Sequence, residues 1–205
     1  MDTNSDVAAF ILAGGKSTRM GTDKAFVTFD GRTLLSRALE AARSVTCNVR
    51  IVGDPGKFTP FAPVVEDIFR ECGPLGGIHA ALRGSEFDLN LMLAVDLPFV
   101  SPSLLQFLID RARDSAAAAA TVPRTAHGWQ PLCAVYRRQF TYIAEKALRE
   151  RRYKIDALFE TARAQAIHEE ELRAAGFSPD LFQNLNTPED LAMARPVEQS
   201  IRAKL

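Results

Sequence analysis

The chain has no surplus of charge of either sign. Lys and Arg together number 25, as do Asp and Glu, so the formal net charge is zero. A protein that grips a nucleic-acid backbone neutralises many phosphates and usually carries a basic surplus, so the balance argues against a large nucleic-acid surface. A small anionic ligand remains open, since a few local cations are enough for it. Cysteine is scarce. Cys47, Cys72 and Cys133 are scattered, odd in number and form no C-x-x-C pair. That argues against a disulfide framework or a structural zinc site, and reduced thiols in a cytoplasmic protein fit best. Long apolar runs are missing too: Leu89 to Val95, the most apolar stretch, is far too short to span a bilayer. Met1 to Asp6 is polar and has no basic n-region, so no signal peptide is expected. The three histidines, His79, His127 and His168, show no ligand spacing and read as core or surface residues.

What is present is an alternation of short apolar runs and amphipathic segments over 205 residues, 47% of them hydrophobic. No low-complexity linker divides the chain, so one domain with a core from about 7 to 195 is expected. Val7 to Leu12 reads as a buried parallel strand, followed by Val49 to Val52, Val64-Val65 and Leu89 to Val95, the last so apolar that it should be central. Thr33 and Ser101 are candidate helix caps, the second with Pro102 at the first helical position. Gly73 to Gly77 reads as a turn into a short helix around Ile78 to Leu82. The alanine run Ala116 to Ala120 reads as a helix tail joining a strand that ends near Val122. Cys133 to Tyr136 reads as a further strand, Phe140 to Leu148 as a helix, and Ala164 to Ile167 as a late strand. Thr187-Pro188-Glu189-Asp190 has the form of a helix start, with Pro196 as its stop. Together these predict an α/β three-layer domain with a mainly parallel sheet. Such sheets bind ligands beyond the carboxyl ends of their strands, which directs attention to the segments after Leu12, Val65 and Val95.

The first of these segments, L-A-G-G-K-S-T-R-M-G-T-D-K-A, looks like a phosphate loop and is neither of the two familiar kinds. A P-loop would need glycine where Phe10 stands, and the dinucleotide fingerprint would need glycine at Lys16 and Arg19. The parts of an anion site are nevertheless there. Gly14 and Gly15 expose backbone N–H groups and permit close approach or a positive φ. Ser17 and Thr18 offer hydroxyls, and Lys16, Arg19 and Lys24 bring three positive charges within nine residues. This suits a loop that wraps a triphosphate with no helix N-terminus beneath it; a solvated basic loop after a strand would show the same composition. Asp96 ends the most apolar strand, where a carboxylate is a natural ligand for Mg²⁺, which takes one or two carboxylates plus substrate phosphate oxygens. A turn or capping aspartate before proline is the plainer reading. Asp67 follows a strand in the same way, and Gly76-Gly77 allow a second close backbone approach.

These motifs, with V-x-D, G-P-L-G-G-I, A-x-D-x-P and a late N-x-N-T-P-E-D-L, resemble the molybdenum cofactor guanylyltransferase family over about Val7 to Leu191. The resemblance implies the nucleotide-diphospho-sugar transferase type of Rossmann-like, three-layer α/β/α fold. It implies transfer of GMP from GTP to the terminal phosphate of molybdopterin, with release of pyrophosphate. Leu12, Ala13, Gly14, Gly15, Lys16 and Ser17 match nucleotide-binding positions, as do Lys24, Asp67, Gly77 and Asp96. Asp96 matches the magnesium ligand, and Asn184 and Asn186 match the acceptor end. One departure is visible: some members carry asparagine after the second strand, where this chain has Gly53-Asp54, so a base or ribose contact there is left open. Transient contact with proteins of cofactor biosynthesis or molybdoenzyme maturation is the partner expectation.

The chemistry agrees with such a reaction. Attack of a phosphate monoester on an α-phosphorus brings two anions together, so catalysis is mainly positioning and charge neutralisation. Arg19, Lys24 and Asp96 are the catalytic candidates, and no nucleophilic side chain is required. Trp129 could stack on a flat acceptor or pack in the core. The competing readings are a cytidylyltransferase or other nucleotidyltransferase for a related small phosphate, against which Gly14 argues, and an inactive nucleotide-binding regulatory module.

Overall fold

The computed structural model describes residues 5–14, 23–185 and 190. In chain order its elements are β1 (Val7–Leu12), β2 (Thr28–Phe29), β3 (Arg32–Thr33), α1 (Leu34–Arg43), β4 (Asn48–Val52), α2 (Pro55–Phe58), β5 (Val64–Val65), α3 (Pro74–Arg83) and β6 (Leu89–Ala94). There follow α4 (Pro102–Asp114), β7 (Ala120–Thr125), β8 (Gly128–Trp129), β9 (Cys133–Arg137), α5 (Phe140–Arg149), β10 (Gln165–His168) and α6 (Glu169–Ala174). The main sheet runs β10-β7-β9-β6-β1-β4-β5, with β8 paired to β7. β1 is parallel to both β4 and β6, β4 to β5, and β10 to β7, while β9 runs antiparallel to β6 and β7. The expected mainly parallel α/β architecture is therefore present, with β9 and the short β8 reversed.

The sheet is covered on both faces, which is why its central strands read as continuous apolar runs. Alternate residues of β1 enter two different cores. Val7, Ala9 and Ile11 join the side chains of α1 and α4, among them Leu34, Leu35, Leu104 and Leu108. Ala8 and Phe10 join Leu75, Ile78 and Leu82 of α3 and Phe140, Ala144 and Leu148 of α5. All six residues of β6 are buried. Caps fix where the helices begin: Thr33 Oγ1 accepts from Ser36 N at 3.2 Å and Ser101 Oγ from Leu104 N at 3.2 Å.

Three local expectations are corrected. The alanine run is not a helix tail. α4 stops at Asp114, and Ala119 N donates to Ala162 O while Ala119 O accepts from Arg137 N. Neighbouring segments on both sides thus claim that backbone before a helix can, and β7 continues through Thr125. Gly76 and Gly77 belong to the first turn of α3, which starts at Pro74, rather than to a turn before it. Asp54 does not simply stop a strand: its Oδ1 accepts from Gly56 N at 2.9 Å and caps α2. The helix start at Thr187–Glu189 and the stop at Pro196 lie outside the described residues.

Candidate active site

The chain leaves β1 and passes to β4 and β5 on one side. It then returns through α3 to β6 on the other side of β1. The carboxyl ends of β1 and β6 therefore meet where the winding reverses, and Val95 N donates to Leu12 O at 3.2 Å. A cleft of about 650 Å³ opens there, lined by Leu12, Ala13 and Gly14 from β1, Asp67 and Glu71 after β5, Gly73, Pro74 and Gly77 from the start of α3, Asp96 after β6, and Lys24. Seven positions singled out in the sequence, spread from Leu12 to Asp96, converge on it.

Lys24 is aimed by its local structure. Asp23 Oδ1 accepts from Ala25 N and caps a single turn over Lys24–Phe26, while Asp23 Oδ2 accepts from Lys57 Nζ at 2.8 Å. From that turn Lys24 Nζ donates to Asp96 Oδ2 at 2.7 Å. The two side chains are 21% and 18% exposed, so the pair is partly shielded from water. The Asp96 main-chain carbonyl accepts from Leu185 N at 3.0 Å, which carries the late segment across the sheet to the same place. Asn184, exposed, flanks that contact.

Asp67 is held differently. Its Oδ1 is buried with no hydrogen-bond partner among the described residues, and burial pushes the carboxyl above its ordinary value. A Cβ built on Gly14 would lie 3.7 Å from Asp67 Oδ2, and one on Gly77 would lie 3.6 Å from Oδ1. Neither would clash and neither residue has a positive φ, so these glycines leave bare backbone facing the cleft rather than relieving strain. Gly76 and Gly53 serve the fold instead. A Cβ on Gly76 would meet Phe69 O at 2.7 Å, and one on Gly53 would meet the Phe58 ring at 2.8 Å. In this chain the Phe58 ring packs against the backbone of Gly53, the point at which some family members carry asparagine.

Other sequence candidates fall elsewhere. Gly15, Lys16, Ser17, Arg19 and Asn186 lie outside the described residues. Trp129 packs on Phe159 with ring centroids 4.7 Å apart, under Arg124 at 5.1 Å; Leu132, not Trp129, lines the cleft from β9's side. His79 is 2% exposed inside α3, while His127 and His168 are on the surface. Sequence reasoning missed Glu71 and Leu132, which no motif marks. It also placed no helix N-terminus at the site, yet the N-terminus of α3 borders it.

The sequence model of the MobA-like NTP transferase domain matches residues 9–166. The chain belongs to the MobA-like NTP transferase family. It is thus a nucleotidyltransferase. This MobA-like transferase is 34% identical over 194 residues to a probable molybdenum cofactor guanylyltransferase of Pelotomaculum thermopropionicum, covering 94% of this chain and 93% of the relative. It is 35% identical to the molybdenum cofactor guanylyltransferase of Desulfosudis oleivorans, covering 96% of each chain. The crystal structure of molybdopterin-guanine dinucleotide biosynthesis protein A from Archaeoglobus fulgidus matches with a TM-score of 0.82 and 27% identity, over 94% of this chain and 99% of that one. No helix among the described residues is long and apolar enough to cross a membrane.

Proposed function

We propose that this enzyme transfers GMP from GTP to the terminal phosphate of molybdopterin, forming the guanine dinucleotide and releasing pyrophosphate. The observation that carries the reading is the partly shielded Lys24–Asp96 pair, which faces the bare backbone of Gly14 and Gly77 across one cleft. The relatives' printed names supply the base and the acceptor.

In this reading the triphosphate lies along Leu12–Gly14 with Lys24 as its counter-charge. The start of α3, which borders the cleft, adds positive dipole to the same side. Asp96 would hold Mg²⁺. One strand-end carboxylate together with phosphate oxygens is the donor set that Mg²⁺ prefers, and the described residues contain no group of three His, Cys, Asp or Glu that would cage an ion by itself. When bound, Mg²⁺ would draw charge from the α-phosphate oxygens and lessen the repulsion between the two anions. An oxygen of the acceptor phosphate then forms its bond to the α-phosphorus as the bond to the β-phosphate bridging oxygen breaks, and that electron pair leaves with pyrophosphate. No protein nucleophile is needed. Cys133, buried in β9, has its thiol pushed up to about 12 and stays protonated. Asp67 suits guanine: a carboxylate short of donors can be served at once by the base's ring N–H and amino group, whereas cytosine offers its amino group alone. The contact of Leu185 with Asp96 supports placing the acceptor beside Asn184 and Asn186.

The test is thermal stabilisation by GTP, CTP and ATP with Mg²⁺, followed by pyrophosphate release from GTP with and without the acceptor. Stabilisation by GTP alone and acceptor-dependent release are expected. Equal stabilisation by CTP removes the guanylyl assignment, and binding without release makes the protein a binder.

A further inference from the structure

Lys24 stands on a turn of only three residues, Lys24–Phe26. So short a helix cannot hold its own direction, because a first turn fixes several dihedrals for one hydrogen bond. Contacts outside it must set where Lys24 points. Ala25 is buried in the same core as Leu34 and Leu35 of α1, and Leu34 N donates to Val27 O at 3.0 Å. At its side the turn meets the α2 segment in two ways. The Phe26 ring stacks on buried Phe58 with centroids 5.9 Å apart and meets the Phe61 ring at 5.8 Å. Lys57 Nζ donates to Asp23 Oδ2 at 2.8 Å, while Asp23 Oδ1 accepts from Ala25 N. We infer that Lys57 is a positioning residue for nucleotide binding: by holding the Asp23 carboxylate it fixes the turn from which Lys24 meets the triphosphate. The inference rests on the reading that Lys24 is the counter-charge of that triphosphate.

Lys57 stands beside the cleft rather than in its lining. A groove of about 400 Å³ shares Ala13, Gly14 and Asp67 with the cleft, and Asp23, Lys57 and Phe58 line the groove alone. The seat of Lys57 is itself fixed. Asp54 caps α2 through Gly56 N, Phe58 N donates to Asp54 O at 3.1 Å, and the Phe58 ring packs on the backbone of Gly53 directly after β4. The end of β4 is thus the abutment against which the Lys24 turn is set. Charge gives the same answer. Asp23 precedes Lys24 by one residue, and a carboxylate there with no counter-charge would offset the positive charge offered to an anion. With Lys57 in place both Asp23 oxygens are engaged, and Lys24 reaches Asp96. The Asp23 hydrogen bond and charge hold the Lys57 ammonium above its ordinary value, so it stays charged at any working pH. Stability is not what the pair supplies. Lys57 is 52% exposed and Asp23 24%, and exposed ion pairs add little to folding. Its consequence is the aim of a neighbouring charge, and a misplacement of about 1 Å is already costly at a site that works by positioning.

The experiment measures dissociation constants of GTP with Mg²⁺ by calorimetry, without acceptor, on the full chain. The proteins are the parent, Lys57→Met, Lys57→Arg, Lys24→Ala and the double variant Lys24→Ala with Lys57→Met, and thermal midpoints are recorded alongside. Lys57→Met should weaken GTP binding about fivefold at an unchanged midpoint, and Lys57→Arg, which keeps the charge and a donor, should stay within about twofold of the parent. In the Lys24→Ala background Lys57→Met should cost less than about twofold, since no ammonium is left to aim. An unchanged affinity in Lys57→Met overturns the inference. So does an equal loss in the Lys24→Ala background, which makes Lys57 a direct contact of the nucleotide. A lowered midpoint that arginine does not rescue also overturns it and assigns Lys57 to the fold. The underlying reading fails separately. GTP affinity unaltered by Lys24→Ala removes Lys24 from the triphosphate and the inference with it, whereas a weakened Lys24→Ala beside an unaffected Lys57→Met removes the inference alone.

Discussion

Asp67 and Asp96 follow two parallel strands of one sheet, line one cleft, and are held in opposite ways. Asp96 meets an ammonium at 2.7 Å, and its main chain is tied to Leu185. Asp67 has one carboxylate oxygen buried beside glycines with no hydrogen-bond partner among the described residues. The difference teaches how one cleft can serve a charged and a neutral part of the same substrate. The carboxylate paired with an ammonium stands where phosphate and cation chemistry is proposed. An uncompensated one waits for donors that a ligand brings, because an unpaired buried polar group is costly until it is paired.

The largest effect should come from removing the charged end. Asp96→Asn keeps the shape and should lower single-turnover pyrophosphate release by on the order of 10²-fold or more, with a smaller loss of GTP affinity. An unchanged rate with unchanged Mg²⁺ dependence would reduce Asp96 to a turn residue. Lys24→Ala removes the other half of the pair and should weaken GTP binding by about tenfold, read by calorimetry. An unaltered affinity would mean the lysine serves Asp96 alone.

The neutral end should answer through pH. Because burial raises the folded value for Asp67 above that of the unfolded chain, its protonated form favours folding at low pH, and that advantage is lost as pH rises through the folded value. Asp67→Asn should therefore raise the thermal midpoint of the ligand-free protein near neutral pH, with the gain shrinking towards acid, while GTP affinity falls. A midpoint lowered at neutral pH would show that Asp67 finds a partner in solution. The smallest effect should be at His79, whose ring nitrogens lack hydrogen-bond partners and whose basicity is lowered by burial, against the raising influence of Glu145, with Arg83 and Arg149 also lowering it. Its sign is opposite to that of Asp67. The neutral imidazole favours folding above about 6.5, and the advantage is lost as pH falls through the lower folded value. Midpoints taken between pH 7 and 5 should decline less in His79→Phe than in the parent, and equal slopes would show that the imidazole is hydrated.

Much of the frame was legible in the chain. β1 and β5 lie where their apolar runs predict, and Thr33 and Ser101 cap the helices they appear to start, because strand burial and helix capping are local properties. The alanine run misled because alanine locally favours a helix, while the bonds of Ala119 to Ala162 and Arg137 that overrule it come from segments remote in sequence. The glycines misled in another way. Gly14, Gly53, Gly76 and Gly77 look alike in a motif, yet two face the cleft and two make room for Phe58 and the Phe69 carbonyl.

By itself the sequence determined the α/β alternation, the positions of the strand-end carboxylates and the glycine-lysine segment after β1, since each depends on residues within a few positions of one another. Tertiary structure alone decided the rest. It placed Lys24 on Asp96, 72 residues away, brought Leu185 to the same aspartate, left Asp67 Oδ1 without a hydrogen-bond partner among the described residues and turned Glu71 into the cleft's lining. Those outcomes depend on which strand ends the winding of the sheet brings together, and on what the opposite face buries, and no local pattern carries either.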